Sequence, residues 1–460
     1  MGWLLKDEIG KRVMVLFFGD SLISFFAFIF AFNNVSGNKF ANVPENSLNV
    51  TILIFIVTSL FFSIFIEIYT CYKNFNRKSL LLRSFFAAVL SFISFTAISF
   101  FVPIIKVDNS VLITALSTFA AGQYLWHILC HLILNHPVFA RNVLIIGTGV
   151  KAETIGNLLE NAEGNFKLKG FLGTPFDPVT VLRSKIIGDV NSLNSIVKES
   201  RVHTIVIALT ERRGNLVMYE LVKCKLSGIK ILDYPYFFEL LTGKLMVEDI
   251  NPSWFLQADG FRITQYIRFY KRLTDFILAF LGLMLAIPVS PFVAFAVKLS
   301  SKGPVIYRQV RTGVMGKDFY IFKFRTMKQD AETGTGAVWA GKNDPRITSV
   351  GSFLRKTRID ELPQLFNVLK GDMSFIGPRP ERPEFVQQIK KLTTFYSERH
   401  FVKPGLTGWA QIKYPYGDSF GNSIEKLRYD LYYIKNISLP LDLMIVFETI
   451  KVILLRRGGR

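Results

Sequence analysis

Four runs of about twenty mainly apolar residues open the chain, at roughly 13–32, 51–70, 84–105 and 111–134, each long enough to cross a bilayer core as a helix. Lys11 and Arg12 precede the first, and Lys73, Arg77, Lys78 and Arg83 lie between the second and third. The other two loops hold only Lys39 with Glu45 and Lys106 with Asp108. Cations concentrate on the cytoplasmic side of membrane helices, so both ends of this four-helix transmembrane bundle are expected to face the cytoplasm. Asp20, Glu67 and His127 lie within or beside the runs, either as helix-packing contacts or as marks of a pathway. The first run has no small-residue cleavage site and reads as a retained helix.

From Arg141 the pattern turns soluble. Asn142–Gly147 reads as a buried strand leading into Gly147-Thr148-Gly149-Val150-Lys151-Ala152 and a helix through Leu159. Further apolar strands at His203–Leu209 and Ile229–Leu232 predict a Rossmann-like parallel sheet. The glycine spacing resembles a dinucleotide fingerprint, with backbone amides able to hold phosphate at a helix N-terminus. The strand near Lys169–Leu172, however, ends without the Asp or Glu that would hold a ribose hydroxyl. A structural or regulatory role and ligand binding both remain open for this domain.

Phe276–Val297 is a fifth apolar run of about 22 residues, interrupted by Pro288-Val289-Ser290-Pro291. Arg268, Lys271 and Arg272 precede it and Lys298 and Lys302 follow, so both ends favour the same side of the membrane. Two prolines remove backbone donors near the midpoint. The expectation is a re-entrant helix over about 271–300 that dips into one leaflet and bends back at the Pro288–Pro291 interruption, where Ser290 can satisfy a freed carbonyl; the alternative is a kinked spanning helix. The fold class is then membrane α plus α/β. It comprises a bundle at 1–138, a Rossmann-like cytoplasmic domain at 139–256 and a monotopic, mainly α catalytic domain at 257–460.

Charge narrows the partners. Lys and Arg number 55 against 35 Asp and Glu, a formal net charge of +20, in a chain that is 50% hydrophobic with 44 Phe. Such a balance favours anionic membrane lipid and phosphorylated small molecules over nucleic acid. Cys71, Cys130 and Cys224 are too few and scattered for a disulfide framework or a zinc site.

Between Gly303 and Gly408 lie Lys323, Arg325, Arg346, Arg355, Lys356, Arg358, Arg379 and Arg382, together with Asp360 and Glu361. Guanidinium groups match phosphate oxygens and neutralise a phosphoryl-transfer transition state. Pro363 suits the first turn of a short helix running to Lys370-Gly371, which sets the two acids at its positive end. One carboxylate of such a pair can attack phosphorus while the other ligates Mg²⁺.

These residues resemble the bacterial sugar transferases, the polyprenyl-phosphate hexose-1-phosphate transferases of the monotopic phosphoglycosyl transferase group. The resemblance runs over about 268–455 and rests on KRLTDF at 271–276, GPVIYRQVRTG at 303–313, YIFKFRTM at 320–327, RKTRIDELPQLFNVLKGDMSFIGPRP at 355–380 and KPGLTGWAQI at 403–412. The amino-terminal extension is similar to that of the long-form members. GPRPERPEF at 377–385 with YPYGDSF at 414–420 looks like the exosortase-associated exopolysaccharide branch.

The resemblance implies Asp360 as nucleophile and Glu361 as its Mg²⁺-binding partner. It implies that Lys271, Arg272 and Asp275 open the re-entrant helix, with Ser290 and Pro291 as its break, and that Arg355, Arg379 and Lys403, with Lys323 and Arg325, handle phosphate. Lys403 stands where the family often has Arg, and Asp430 matches a recurrent acid. The implied reaction moves a hexose 1-phosphate from a UDP-sugar to polyprenyl (undecaprenyl) phosphate at the cytoplasmic face of the inner membrane, releasing UMP. The carboxy-terminal run Leu439–Leu455 is expected along the interface, and the extra domains suit a homodimer. Two other readings are a membrane nucleotide-sugar epimerase or dehydratase and a non-enzymatic assembly scaffold. The first requires a complete cofactor fingerprint, and 141–256 lacks its ribose-binding acid.

Overall fold

The structure, a computed structural model, describes residues 8–36, 45–70, 76–102, 105, 107–134, 141–161, 166–175, 177–210, 218–249, 255, 258, 260–329, 331, 344–414 and 420–454. The chain divides into two compact units, Gly2–Phe237 and Phe238–Arg460.

In the first unit the amino-terminal apolar runs form helices α1 (Glu8–Ser36), α2 (Glu45–Phe65), α3 (Arg77–Phe101) and α4 (Asn109–Leu134). Asn76 starts α3 by accepting from the Lys78 and Ser79 N–H groups, which is the usual work of an N-cap side chain. Phe28, Phe55, Phe95 and Leu112 close the bundle core. Among the described residues, four helices are long and apolar enough to cross a membrane: Met14–Val35, Leu48–Phe65, Arg77–Phe101 and Gln265–Ser300. The fourth predicted span, α4, forms as a helix but is not one of them. It carries Gln123, His127 and His131, and the first two turn inward. Asp20 Oδ2 accepts from Gln123 Nε2 at 2.7 Å and from Tyr69 Oη at 2.8 Å, and His127 Nε2 lies 3.1 Å away. Asp20 and His127 are therefore interior contacts that fasten α1 to α4, where a polar group in an apolar surround must find partners. Glu67 stands apart and pairs with Arg83 at 3.7 Å.

The first unit continues as β1 (Arg141–Ile146), α5 (Val150–Asn161), β2 (Phe166–Gly173), β3 (Ile186–Asp189), α6 (Leu193–Glu199), β4 (Thr204–Ile207), α7 (Met218–Leu226) and β5 (Lys230–Asp233). All five strands pair in parallel, in the order β3-β2-β1-β4-β5, the arrangement expected from the alternation of strand and helix. Leu144, Ile146, Leu172, Leu193, Ile205 and Leu221 form its core. β3 has no counterpart among the predicted strands. It is a four-residue edge strand whose burial alternates, so it carries no continuous apolar run.

The second unit is built on α8 (Gln265–Ser300), followed by the antiparallel hairpin β6 (Ile306–Thr312) and β7 (Asp318–Phe324). Then come α9 (Ser349–Thr357), α10 (Gln364–Lys370), β8 (Ser374–Ile376), α11 (Pro383–Leu392), β9 (Gly405–Thr407), α12 (Phe420–Lys435) and α13 (Leu439–Leu454). β8 and β9 pair in parallel.

α8 departs from the sequence expectation in two ways. It begins at Gln265, capped by Thr264 Oγ1 accepting from Ile267 N–H at 3.2 Å, so Lys271, Arg272 and Asp275 lie inside it rather than opening it. It also passes through Pro288 and Pro291 without a helical interruption. Ser290 Oγ donates to the Ala286 carbonyl at 2.7 Å, a contact that bends helices.

Both halves of α8 pack on the same unit. Near its start, Arg272 donates to the Val368 and Leu369 carbonyls at 2.9 and 2.7 Å, and Asp275 Oδ1 accepts from Ser374 Oγ and Phe375 N–H at 2.8 and 2.7 Å. Near its end, Val293 and Val297 pack with Phe324 and Leu354. Phe276, Phe280, Leu285, Phe292 and Phe295 remain exposed on the outer face.

Candidate active site

Local chain geometry brings the acidic pair into one place. Thr348 Oγ1 starts α9 by accepting from Gly351 N–H at 3.0 Å, and Arg358 ends the helix in the left-handed region at φ 59°. That reversal turns Ile359–Glu361 into a single 3₁₀ turn, and Pro363 then leads into α10, which ends at Gly371 with φ 97°. Ile359 and Leu362 pack inward against the cluster of Val297, Phe324 and Leu354. Asp360 and Glu361 are left side by side on a tight connection between two helices, 6% and 8% exposed. The short helix after Pro363 and its end at Gly371 follow the sequence expectation.

The two acids have opposite surroundings. Glu361 Oε1 accepts from Arg379 Nη2 at 2.7 Å and Lys323 Nζ at 3.1 Å, with Arg358 Nη1 at 3.6 Å. Burial opposes its charge, but Arg379, Lys323 and Arg358 outweigh burial and hold its carboxyl well below the usual range. Asp360 Oδ1 is buried and has no hydrogen-bond partner. Burial first, then the charge of Glu361, pushes Asp360 up to about 6 against the pull of Lys323, Arg358 and Arg355. One acid is thus a fixed anion within a cationic cradle, and the other keeps a buried oxygen without a hydrogen-bond partner and a raised pKa.

Of the cations singled out in the sequence, Lys323 and Arg379 meet the pair directly. Arg355 Nε donates to Thr326 Oγ1 at 2.9 Å, and its charge reaches Asp360. Arg325 is buried toward the end of α8, where Nη2 donates to the Ser301 carbonyl at 2.6 Å while Nε and Nη1 have no hydrogen-bond partner. Lys403 stands elsewhere, with Arg272, Asp275 and Asp372 as its charged neighbours, and burial lowers its amine. Arg346 serves Asp344, at 2.6 Å. Ser290 and Pro291 sit within α8.

Arg358, also singled out in the sequence, belongs to the cradle. Two further arginines complete the site. Arg311 Nη1 donates to the Pro380 carbonyl at 3.1 Å, and Arg399 Nη2 donates to the Arg379 carbonyl at 2.9 Å. Together Arg311 and Arg399 hold the Gly377-Pro378-Arg379-Pro380 turn that presents Arg379 to Glu361. Arg399 is itself paired with Asp430 at 2.8 Å. Gly377 is required there because a Cβ would run into the Lys403 carbonyl and come within 3.0 Å of Gly405 N. Arg311 lies in the quoted block at 303–313, whereas no local pattern marks Arg399.

The oxygens of Asp360 and Glu361 suit Mg²⁺, which takes one or two carboxylates and completes its shell with water and substrate phosphate. Asp360 Oδ1, buried without a partner, is the atom that such an ion would satisfy. Among the described residues no group of three His, Cys, Asp or Glu forms a cage made by protein alone.

Residues 266–456 match the family model for bacterial sugar transferases. A UDP-glucose:undecaprenyl-phosphate glucose-1-phosphate transferase of Xanthomonas campestris pv. campestris is 35% identical over 328 residues, covering 69% of this chain and 68% of that protein. A UDP-N-acetylgalactosamine-undecaprenyl-phosphate N-acetylgalactosaminephosphotransferase of Aeromonas hydrophila is 42% identical over 240 residues, 52% of this chain and 56% of that one. An Escherichia coli K12 protein with the same designation as the Xanthomonas one is 39% identical over 268 residues, 57% of each chain. The match thus spans little more than half the length of the Aeromonas and Escherichia relatives.

Proposed function

Because the chain belongs to the bacterial sugar transferase family, we propose that it transfers a sugar 1-phosphate from a UDP-sugar to undecaprenyl phosphate, through a covalent phosphosugar on Asp360. The observation that carries this reading is the division of labour in the acidic pair: Glu361 saturated by cations, Asp360 with an unpartnered oxygen.

Asp360 attacks the phosphorus attached to the sugar, a P–O bond forms to its carboxylate, and the bond to the UMP oxygen breaks. UMP carries away the electron pair. A phosphate oxygen of undecaprenyl phosphate then attacks the same phosphorus, releasing the Asp360 carboxylate and giving polyprenyl diphosphate-sugar. Lys323, Arg358 and Arg379 keep Glu361 ionised and hold positive charge beside the phosphoryl oxygens. Arg355 adds charge next to Asp360, and Arg325 retains two buried N–H groups suited to a phosphate oxygen. Asp360 and Glu361 would hold Mg²⁺, which supplies charge compensation for the donor pyrophosphate when bound.

α8 is proposed to re-enter the membrane from the cytoplasmic side of the inner membrane. A straight 36-residue helix would be about 54 Å long at about 1.5 Å per residue, more than a bilayer core needs. Its two halves nevertheless pack on one unit, and its outer face exposes Phe and Leu as lipid contact requires. A bent α8 supports the chemistry, because a lipid phosphate and a water-soluble donor meet only at the interface.

The test is release of UMP from a panel of UDP-sugars with undecaprenyl phosphate and Mg²⁺. Asp360→Asn is expected to abolish both turnover and the labelled phosphosugar-protein. If that variant still exchanges label between UMP and UDP-sugar, the covalent role is wrong.

A further inference from the structure

We propose that Asp177 is a built-in anion seated where a Rossmann-like domain binds phosphate, so that this sheet is complete without a dinucleotide. The inference concerns the first unit and is independent of the transfer chemistry.

β1 runs into the Gly147-Thr148-Gly149 loop at the start of α5, a 12-residue helix. Gly147 has φ +122°, and a Cβ there would lie 2.6 Å from the Ala208 carbonyl oxygen. Such a loop turns its amides outward toward an anion. Asp177 supplies one. Its Oδ2 accepts from Thr148 N–H at 2.7 Å and Gly149 N–H at 2.9 Å, and its Oδ1 accepts from Thr210 N–H at 2.9 Å. One carboxylate therefore bridges the loop after β1 and the loop after β4. This is the crevice where the strand order changes direction, the place at which parallel sheets bind ligands.

The segment carrying Asp177 is fixed over the loop. Thr180 and Val181 donate their N–H groups to the Thr148 carbonyl at 2.8 and 3.2 Å, and Asp177 is only 7% exposed. Two hydroxyls point to the ligand that this seat fits. Thr148 Oγ1, on a residue 1% exposed, and Thr210 Oγ1 are buried without a hydrogen-bond partner, and Thr210 Oγ1 occupies the space that a Cβ on Gly149 would need. Three backbone donors plus two hydroxyls match a phosphate with its larger set of acceptor oxygens. A two-oxygen carboxylate serves the amides and leaves the hydroxyls unserved. Asp177 blocks a nucleotide twice, by volume and by placing negative charge where its phosphate would lie.

The experiment is hydrogen exchange on the full chain in detergent, following the amides of residues 147–161 and 204–210 in wild type, Asp177→Ala and Asp177→Asn. In wild type, neither NAD nor inorganic phosphate should change protection. Asp177→Ala should lose at least roughly tenfold of the protection at Thr148 and Gly149, as expected for charge-assisted hydrogen bonds. Inorganic phosphate should restore it. Asp177→Asn keeps the shape without the charge, and should fold, lose less protection than Asp177→Ala and, because the side chain still fills the space, respond little to phosphate. The proposal is overturned if NAD or phosphate protects the wild-type loop, if Asp177→Ala keeps wild-type protection, or if phosphate does not restore Asp177→Ala. UMP release measured on the same samples reports separately on the transferase reading.

Discussion

Arg379 Nη2 lies 2.7 Å from Glu361 Oε1, and the carbonyl of the same arginine accepts from Arg399 Nη2 at 2.9 Å. Arg379 is thereby fixed at both ends, and Glu361 is held where it adds its charge to that of Asp360. Glu361→Gln should lower UMP release by roughly a hundredfold or more, as loss of a preorganised charged group does. The residual activity should keep its ionised form to lower pH, because the repulsion raising Asp360 has gone. Arg379→Lys keeps the charge but loses the planar fork and should cost roughly ten- to a hundredfold in rate. A Glu361→Gln profile whose acid limb does not move would break the link between the two acids.

Asp360 sets a pH dependence of definite sign. Its carboxyl is raised from 3.8 to about 6, chiefly by burial, and the proposed attack on phosphorus needs the ionised form. UMP release should fall about tenfold per pH unit below that point. Stability runs the other way. The folded group holds its proton up to about 6 and the unfolded group only to 3.8, so the fold gains as pH falls through that window and bears the full penalty above it. Asp360→Asn should therefore be inactive yet melt higher than wild type near about pH 7.5, by up to about 3 kcal/mol. The difference should shrink toward pH 4. A variant that melts lower at neutral pH would contradict the buried, unpartnered placement of Asp360.

Asp430 acts at a distance through Arg399. The two form a buried ion pair at 2.8 Å, and Arg399 reaches the Arg379 carbonyl. Burial raises the Asp430 carboxyl to about 6. Asp430→Asn should leave a chain that folds but holds the Gly377–Pro380 turn loosely, with kcat down roughly tenfold or more and KM for the UDP-sugar raised. Arg399→Ala, which leaves Asp430 buried and alone, should be the more destabilising change, by about 3–5 kcal/mol. Equal melting of Asp430→Asn and wild type with full activity would reduce the pair to a packing contact.

Local sequence carried the acids, their cationic company and the short helix at Pro363, because each depends on residues close along the chain. Lys323 and Arg379 were legible as members of a basic set. What joins them to Glu361 is the left-handed Arg358 and the pairing of β8 with β9, neither of which has a local signature. The surroundings of Lys403 have no local signature either, because its charged neighbours Arg272 and Asp275 come from α8. The parallel sheet was readable from its apolar strands, whereas β3, an alternating edge strand, was not. Asp177 has no local signature because its partners are distant in sequence, Thr210 lying 33 residues onward. α4 reads as apolar along most of its length, and its polar residues Gln123 and His127 are buried partners of Asp20 in the bundle.

α8 gives the sharpest topological prediction. Asp275 is tied to Ser374 at 2.8 Å near one end, and Lys298 donates to the Gly303 carbonyl at 3.2 Å near the other, beside Val297 packed on Leu354. A re-entrant α8 anchored in this way would keep Lys302 on the same side as Arg268. In a chain whose native cysteines are replaced by serine, Lys302→Cys should resist a membrane-impermeant maleimide in intact cells and react after permeabilisation. Labelling of intact cells would make α8 a spanning helix and would separate Val297 from the fold that it packs against. Pro291→Ala restores a backbone donor one turn after Ile287 and favours a straighter helix. Straightening draws Val293 and Val297 away from Phe324 and Leu354, whose cluster also contains Ile359 and Leu362 on either side of the acidic pair. UMP release from Pro291→Ala should therefore drop several-fold while the amount of membrane-inserted protein stays level. An unchanged rate would mean that the bend of α8 and the placement of Asp360 are independent.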